Sequence, residues 1–564
     1  MIFSEYKYER PNYELTKDKI TILINKIIES NDVGDTKKFI NDVNVIRNSI
    51  FTMNTIASIR FSINTQDEFY SKEIEYWDEY EPFYDELYSG FYKSLVDNKF
   101  RADLEKEFGK QFFNIVEYKL KSFSNEIIED LQLENKLTSE YGKLIASAKI
   151  MFQGKERNLS GLTPFMQSKD REMRKRASEA NYKFFTDNED TIDRIYDDMV
   201  KVRTKIAHKL GFKNFVELGY IRMLRTDYDS EMVKNFRKQV KEFIVPVASK
   251  LYEKQKNRLS LDELEYYDEK FEFLTGNAKP KGDAQWILNN GIKMYSELSS
   301  ETKEFFDFMT KNQLMDLVTK KGKRGGGYCT FIPDHKSPFI FSNFNGTAGD
   351  VKVLTHEAGH AFQCYRSKWI TIPECHFPTY DSCEIHSKSM ELFTWPWMKL
   401  FFGDEEQKYK YSHLGGIIKM MPYHVTVDEF QHFVYENPSA TPKERKTAWR
   451  NIEKQYLPHK NYKECDFLER GGYWFQQAHI FKSPFYYVDY ALAQICALQF
   501  WERDKENHEE AWADYLKLCN AGGTMSFVNL VKYANLNSPF EDGCVSSIVG
   551  DIDRYLESID DKTL

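Results

Sequence analysis

The sequence predicts a mainly helical protein with one short piece of β-structure, and three observations lead there. Apolar residues recur at helical spacing through most of the 564 positions. The chain holds only 16 prolines and no long Gly/Ser/Pro linker, so a single large body, divided at most into lobes, is expected. One stretch, "RGGGYCTFIPDHKSPFIFSNFNGTAGD", breaks the helical pattern with clustered glycines and β-prone residues.

The helical patterning runs from 15 to 130, from 230 to 320, from 385 to 435 and from 505 to 535. "DTIDRIYDDMVKVRTKIAHKLGF" shows it well. Ile192, Ile195, Tyr196, Met199, Ile206 and Leu210 share one face, Asp190 is placed to cap the start, and Gly211 is placed to end it. His208 falls on the opposite face and reads as a solvated side chain. In the stretch that departs from helix, two β-prone runs, 328–332 and 338–344, are joined by "PDHK" and read as a hairpin. This hairpin leads straight into the next helix, so the two are expected to pack together, and its edge can pair with an extended peptide backbone.

Composition narrows the function classes. Hydrophobic residues make up 41% and charged residues 29%, with 43 Phe and 35 Tyr, which argues for a folded, aromatic-rich protein. The net charge of −9 gives no basic surface for nucleic acid or an anionic membrane. The charged start lacks a signal-peptide core and no run of about 18 apolar residues follows, so a cytoplasmic location is expected. The eight cysteines (329, 364, 375, 383, 465, 496, 519 and 544) contain no C-x-x-C pair and read as reduced thiols rather than a disulfide framework or a structural zinc site.

The chemistry concentrates in "VLTHEAGHAF", residues 353–362. On a helix His356 and His360 lie one turn apart and point at one place, within reach of a metal at about 2 Å. Glu357 stands about 100° further round, badly placed to ligate but able to take a proton from a water held there. A hydrolytic site needs a third protein ligand. Arg366 occupies the position where an elongated metzincin motif would put a histidine. "PTYDSCEIHSKSMELF" supplies candidates: Glu384 and Glu391 are two helical turns apart on one face, so one can ligate while the other orients a ligand, and Asp381 and His386 compete with them. A further segment, "RGGYWFQQAHIFKSPFYYVDYALAQ", places His479 upstream of Tyr487 and Tyr490, which share a face. Phenol and imidazole protons suit the oxyanion of a tetrahedral intermediate, although such aromatic stripes also build cores.

Taken together, "PFIFSNFNGTAGDVKVLTHEAGHAFQ", "DSCEIHSKSMEL", "VDEFQHFVYENP", "QQAHIFKSPFYYVDYALAQ" and "LCNAGGTMSF" resemble the thimet oligopeptidase and oligoendopeptidase F family of zinc metallopeptidases, most closely its bacterial oligoendopeptidase or Pz-peptidase branch. The likeness covers the last 240 residues or so in family order and extends weakly toward residue 180. It implies a helical ellipsoid of two lobes around a deep substrate channel, with a small sheet beside the HExxH helix. Residues 1–170 would form an N-terminal helical region contributing to the channel wall, and 171–564 the catalytic region.

The resemblance further implies that His356, His360 and Glu384 bind one Zn2+ and that Glu357 is the general base. His479, Tyr487 and Tyr490 would act on the scissile carbonyl, with Asp381 and Glu391 behind the ligands, and Tyr486, Gly326, Gly327 and Phe341 along the substrate. The implied activity is hydrolysis of internal bonds in short unstructured peptides by a monomer or homodimer. An exopeptidase with a blocked channel end, or a peptide-binding protein with an inert metal site, are the competing readings; Glu357, which a mere binder does not need, argues against the second.

Overall fold

The computed structural model describes residues 1–320 and 322–564 and is mainly helical, as expected. The described chain divides into two compact units, each assembled from three separate segments. The first comprises Met1–Lys121, Lys279–Glu406 and Cys496–Asn537; the second comprises Ser122–Ala278, Gln407–Ile495 and Ser538–Leu564.

The first unit opens with three amphipathic helices, Tyr13–Glu29, Val33–Ile63 and Glu68–Val96. Each begins at a side-chain cap that satisfies otherwise orphaned amides: Asn12 accepts from the Leu15 N–H, Asp32 from Asp35, and Asp67 from Phe69 and Tyr70. Their apolar faces meet around Ile20, Ile40, Trp77 and Phe91, and Ile370, Ile372 and Cys375 belong to the same core.

A three-stranded sheet follows, with β1 (Met315–Val318), β2 (Tyr328–Ile332) and β3 (Ser337–Phe344). β3 is central, parallel to β1 and antiparallel to β2, with Tyr328 opposite Phe341 and Ile332 opposite Ser337. The hairpin read from the sequence is therefore present, turning through Pro333–His335 with Lys336 at φ 47°. β1 lies inside a stretch read as helical. The preceding helix, Ser300–Lys311, stops where Gln313 takes φ 53°, and four strand residues are too few to announce themselves against helical neighbours. Residues 259–283, also read as helical, contain no helix among the described residues.

β3 runs into the HExxH helix, Ala348–Arg366. Its start is fixed by Asp350, whose carboxylate accepts from the backbone N–H of Asn345 at 2.9 Å and of Gly346 at 2.7 Å. After a short turn at Pro373–Cys375 comes the helix Tyr380–Phe393, and a later helix, His508–Ala521, packs against both.

In the second unit, the helix Glu189–Lys209 buries Ile192, Ile195, Tyr196, Met199 and Ile206 and leaves His208 exposed. It starts one residue before Asp190, which lies in the first turn rather than at the cap, and Gly211 follows its end at φ 84°. A small hairpin, Ile150–Phe152 with Lys155–Arg157, went unread in the sequence because three-residue strands carry no usable alternation. No described helix is long and apolar enough to cross a membrane.

Candidate metal centre

The HExxH helix and the helix Tyr380–Phe393 touch nearly backbone to backbone, and Gly359 is the reason. A Cβ on Gly359 would lie 2.6 Å from both the His386 carbonyl oxygen and the Ser387 Cα, a distance no side chain tolerates. Glycine costs helix stability, but here it lets the second helix bring Glu384 up to the histidines of the first.

His356, His360 and Glu384 each offer one donor atom, and all three atoms lie within 4.8 Å of one another. Glu384 Oε2 is 3.4 Å from His356 Nε2 and 3.7 Å from His360 Nε2. Donors about 2.0–2.1 Å from a tetrahedral cation stand roughly 3.3 Å apart, so this nitrogen and oxygen set fits a metal of the zinc kind. The two rings retain some exposure, 20% and 12%, whereas the Glu384 side chain is 6% exposed.

Supporting contacts aim these donors. Glu391 Oε1 accepts a 2.7 Å hydrogen bond from His356 Nδ1, which turns Nε2 toward Glu384. Ser387 Oγ donates to Glu384 Oε2 at 3.0 Å. Asp381 accepts from Thr379 and, at 3.0 Å, from Ser382 Oγ.

The electrostatics follow from burial and from neighbouring carboxylates. Burial pushes the His360 imidazole down to about 3, so it is neutral and free to ligate. Burial acts the same way on His356 but is outweighed by the Glu391 hydrogen bond and the Glu384 charge, which raise it. Burial would raise Glu384, yet the two imidazoles hold it below its usual range. Glu357 is different: burial, reinforced by the Glu384 and Glu391 charges and opposed by His356, pushes it up to about 7. A group that must take a proton and later return it works best near that value.

Around Glu357 the sheet contributes backbone. Gly326 takes φ 94°, and a Cβ on Gly327 would stand 3.5 Å from Glu357 Oε1 and 3.4 Å from the Phe341 carbonyl oxygen. The Phe341 ring itself is fully buried, with Tyr328 stacked on it at 4.9 Å, so at this pair of positions Tyr328 is the partly exposed member.

The profile of peptidase family M3 matches residues 164–549, and that of the peptidase M3 N-terminal domain matches residues 3–123. The chain belongs to peptidase family M3. A solved structure of Pz peptidase A with an inhibitor is 57% identical, with a TM-score of 0.95 over 99% of this chain and all of that one. An oligoendopeptidase F homolog of Borreliella burgdorferi is 26% identical over 65% of this chain and 62% of its own length. Oligopeptidase PepF of Bacillus subtilis is 23% identical over 67% of this chain and 57% of its own. The chain thus spans about three fifths of the curated relatives it matches.

In this M3 peptidase the remaining sequence-predicted residues gather within the second unit. The His479 ring centre lies 4.8 Å from that of Tyr487, 5.7 Å from Tyr486 and 5.9 Å from Tyr490. Burial raises the Tyr487 phenol, which keeps its proton available for donation. Three members of this cluster escaped the sequence reading. His424 lies 4.8 Å from Tyr487, Tyr423 lies 5.7 Å from it, and Gln477 bonds His479. The first two sit mid-helix in Glu406–Glu436, more than 50 residues from His479, where no local signal joins them to it. Gln477 stands two residues from His479, but a glutamine carries no chemical signature of its own.

Proposed function

We propose that this M3 peptidase is a zinc-dependent endopeptidase that hydrolyses internal bonds of short, unstructured oligopeptides. The reading rests on one observation above others: two imidazole nitrogens and a carboxylate oxygen converge within 4.8 Å, next to a buried glutamate that does not belong to the set.

His356, His360 and Glu384 would hold the cation. When bound, zinc supplies Lewis acidity, which makes water a stronger acid and a peptide carbonyl a better electrophile. Glu357 takes the proton of the attacking water and delivers it to the departing amine, an exchange that its burial, by disfavouring the charged carboxylate, supports. Gly327 leaves the approach to Glu357 unobstructed by any side chain of its own. On the family resemblance, His479 with Tyr487 and Tyr490 donates protons to the oxyanion, and Tyr486 lines the substrate. Asp381 acts behind the ligands, and the open edge of β2 pairs with the extended peptide backbone. Chains short and unfolded enough to reach the site are cleaved, whereas folded proteins are spared.

The test is a length-graded set of end-blocked, internally quenched peptides, assayed with and without chelator beside a folded protein. Glu357→Gln should retain zinc and lose turnover by roughly 100- to 10,000-fold, since it removes the proton carrier and leaves the ligands. Full zinc content with undiminished cleavage would refute the assignment.

A further inference from the structure

His356 and His479 carry opposite kinds of partner on the same ring nitrogen. On His356, Nδ1 faces the Glu391 carboxylate, an acceptor, so Nδ1 holds the proton and Nε2 presents its lone pair. That is the state a metal ligand needs. On His479, Nδ1 faces the side-chain amide nitrogen of Gln477 at 2.7 Å, a donor.

The orientation of that amide follows from its other end. Tyr423 OH lies 3.0 Å from Gln477 Oε1 and donates to it. The Tyr423 phenol is 9% exposed, and burial keeps it protonated, so its hydrogen needs an acceptor inside the protein. With the carbonyl oxygen turned to Tyr423, the amide N–H must point to His479. The Gln477 backbone is held as well: its N–H donates to the Trp474 carbonyl at 2.9 Å, and its carbonyl accepts from Ile480 at 3.1 Å.

We propose that Gln477, oriented by Tyr423, is a positioning residue that fixes His479 as the neutral tautomer protonated on Nε2. His479 then enters the reaction as an N–H donor without having to gain a proton first. The proposal rests on the reading of His479 as a group that contacts the substrate. The rings facing it, Tyr486, Tyr487 and Tyr490, are phenols and the Tyr423–Gln477 pair is neutral; the other titratable ring of the cluster, His424, packs against Tyr487 and Tyr490.

The experiment uses the full-length zinc enzyme with 15N-labelled histidine. Two-bond proton–nitrogen correlations report which ring nitrogen is protonated, and His479→Gln identifies the His479 signals. Wild type should show a protonated Nε2 and a bare Nδ1. Gln477→Glu puts an acceptor against Nδ1, so the proton should move there. Nε2 can then donate only after His479 takes up a second proton. In that variant kcat for a capped peptide should fall on the order of 100-fold at alkaline pH, with little change in KM, and recover on acidification. Wild type should lack this alkaline loss. Tyr423→Phe, which frees the amide to turn, should give a mixture of both tautomers. A wild-type His479 protonated on Nδ1 would overturn the assignment. If the proton moves in Gln477→Glu while kcat and its pH profile stay as in wild type, the tautomer argument stands but His479 donates nothing to the reaction, and the functional half of the proposal fails.

Discussion

Two residues decide whether the three metal donors meet, and neither is a donor. Gly359 has no role in the HExxH pattern, yet a methyl group there would collide with backbone atoms of the Glu384 helix. Gly359→Ala should therefore push that helix away, lower the melting temperature through a strain of about 1–3 kcal/mol, and weaken zinc binding although every ligand is intact. A metal titration on the folded variant checks this, and wild-type affinity would show that the close contact is dispensable. Glu391 acts by holding His356 through Nδ1. Glu391→Gln keeps an acceptor but loses the charge, and zinc affinity should fall roughly 10–100-fold. At this scale the two histidines and Glu357 are legible because their spacing carries chemistry, whereas spacing leaves Glu384 one of four candidates and only the family resemblance singles it out. Gly359 is not legible, because its meaning lies in the helix it touches, which comes later in the chain.

The segment joining the two metal-site helices is tied to the N-terminal helices by a buried ion pair. Glu374, in the turn Pro373–Cys375, pairs with Arg47 of the helix Val33–Ile63 and accepts from Tyr92, while Arg47 Nη2 also bonds the Tyr92 hydroxyl at 2.9 Å. Burial alone would raise Glu374, but the Arg47 charge overrides it and brings the carboxyl down to about 2. A carboxylate lowered in this way adds stability that is complete above its ordinary 4.5 and is lost as the pH falls toward about 2. Arg47→Met leaves the carboxylate buried without its cation, at a cost of about 3–5 kcal/mol near neutrality. Burial then raises Glu374 instead, so the gap between variant and wild type should narrow on acidification. Denaturant unfolding at several pH values measures it, and a constant gap would contradict the pairing argument. Elements of this length were mostly readable from their periodicity and caps. The three- and four-residue strands were not, since too few residues alternate to outweigh the helical sequence on either side.

For the molecule as a whole, helical class and the hairpin leading into the HExxH helix followed from patterns local in sequence. Which segments assemble together did not, because that depends on contacts between residues hundreds of positions apart. The first unit draws on Met1–Lys121, Lys279–Glu406 and Cys496–Asn537. The helix His508–Ala521 belongs to it, and Tyr515 donates a 2.9 Å hydrogen bond to the His386 carbonyl on the Glu384 helix. A chain cut after residue 495 keeps all three metal donors but lacks that buttress, and it should accumulate as insoluble or zinc-poor material, which expression trials with metal analysis would reveal. The same arrangement bears on biosynthesis. A ribosome must translate past residue 521 before the buttress exists, so Glu384, the last of the three metal donors, is made over a hundred residues ahead of the helix that steadies its own.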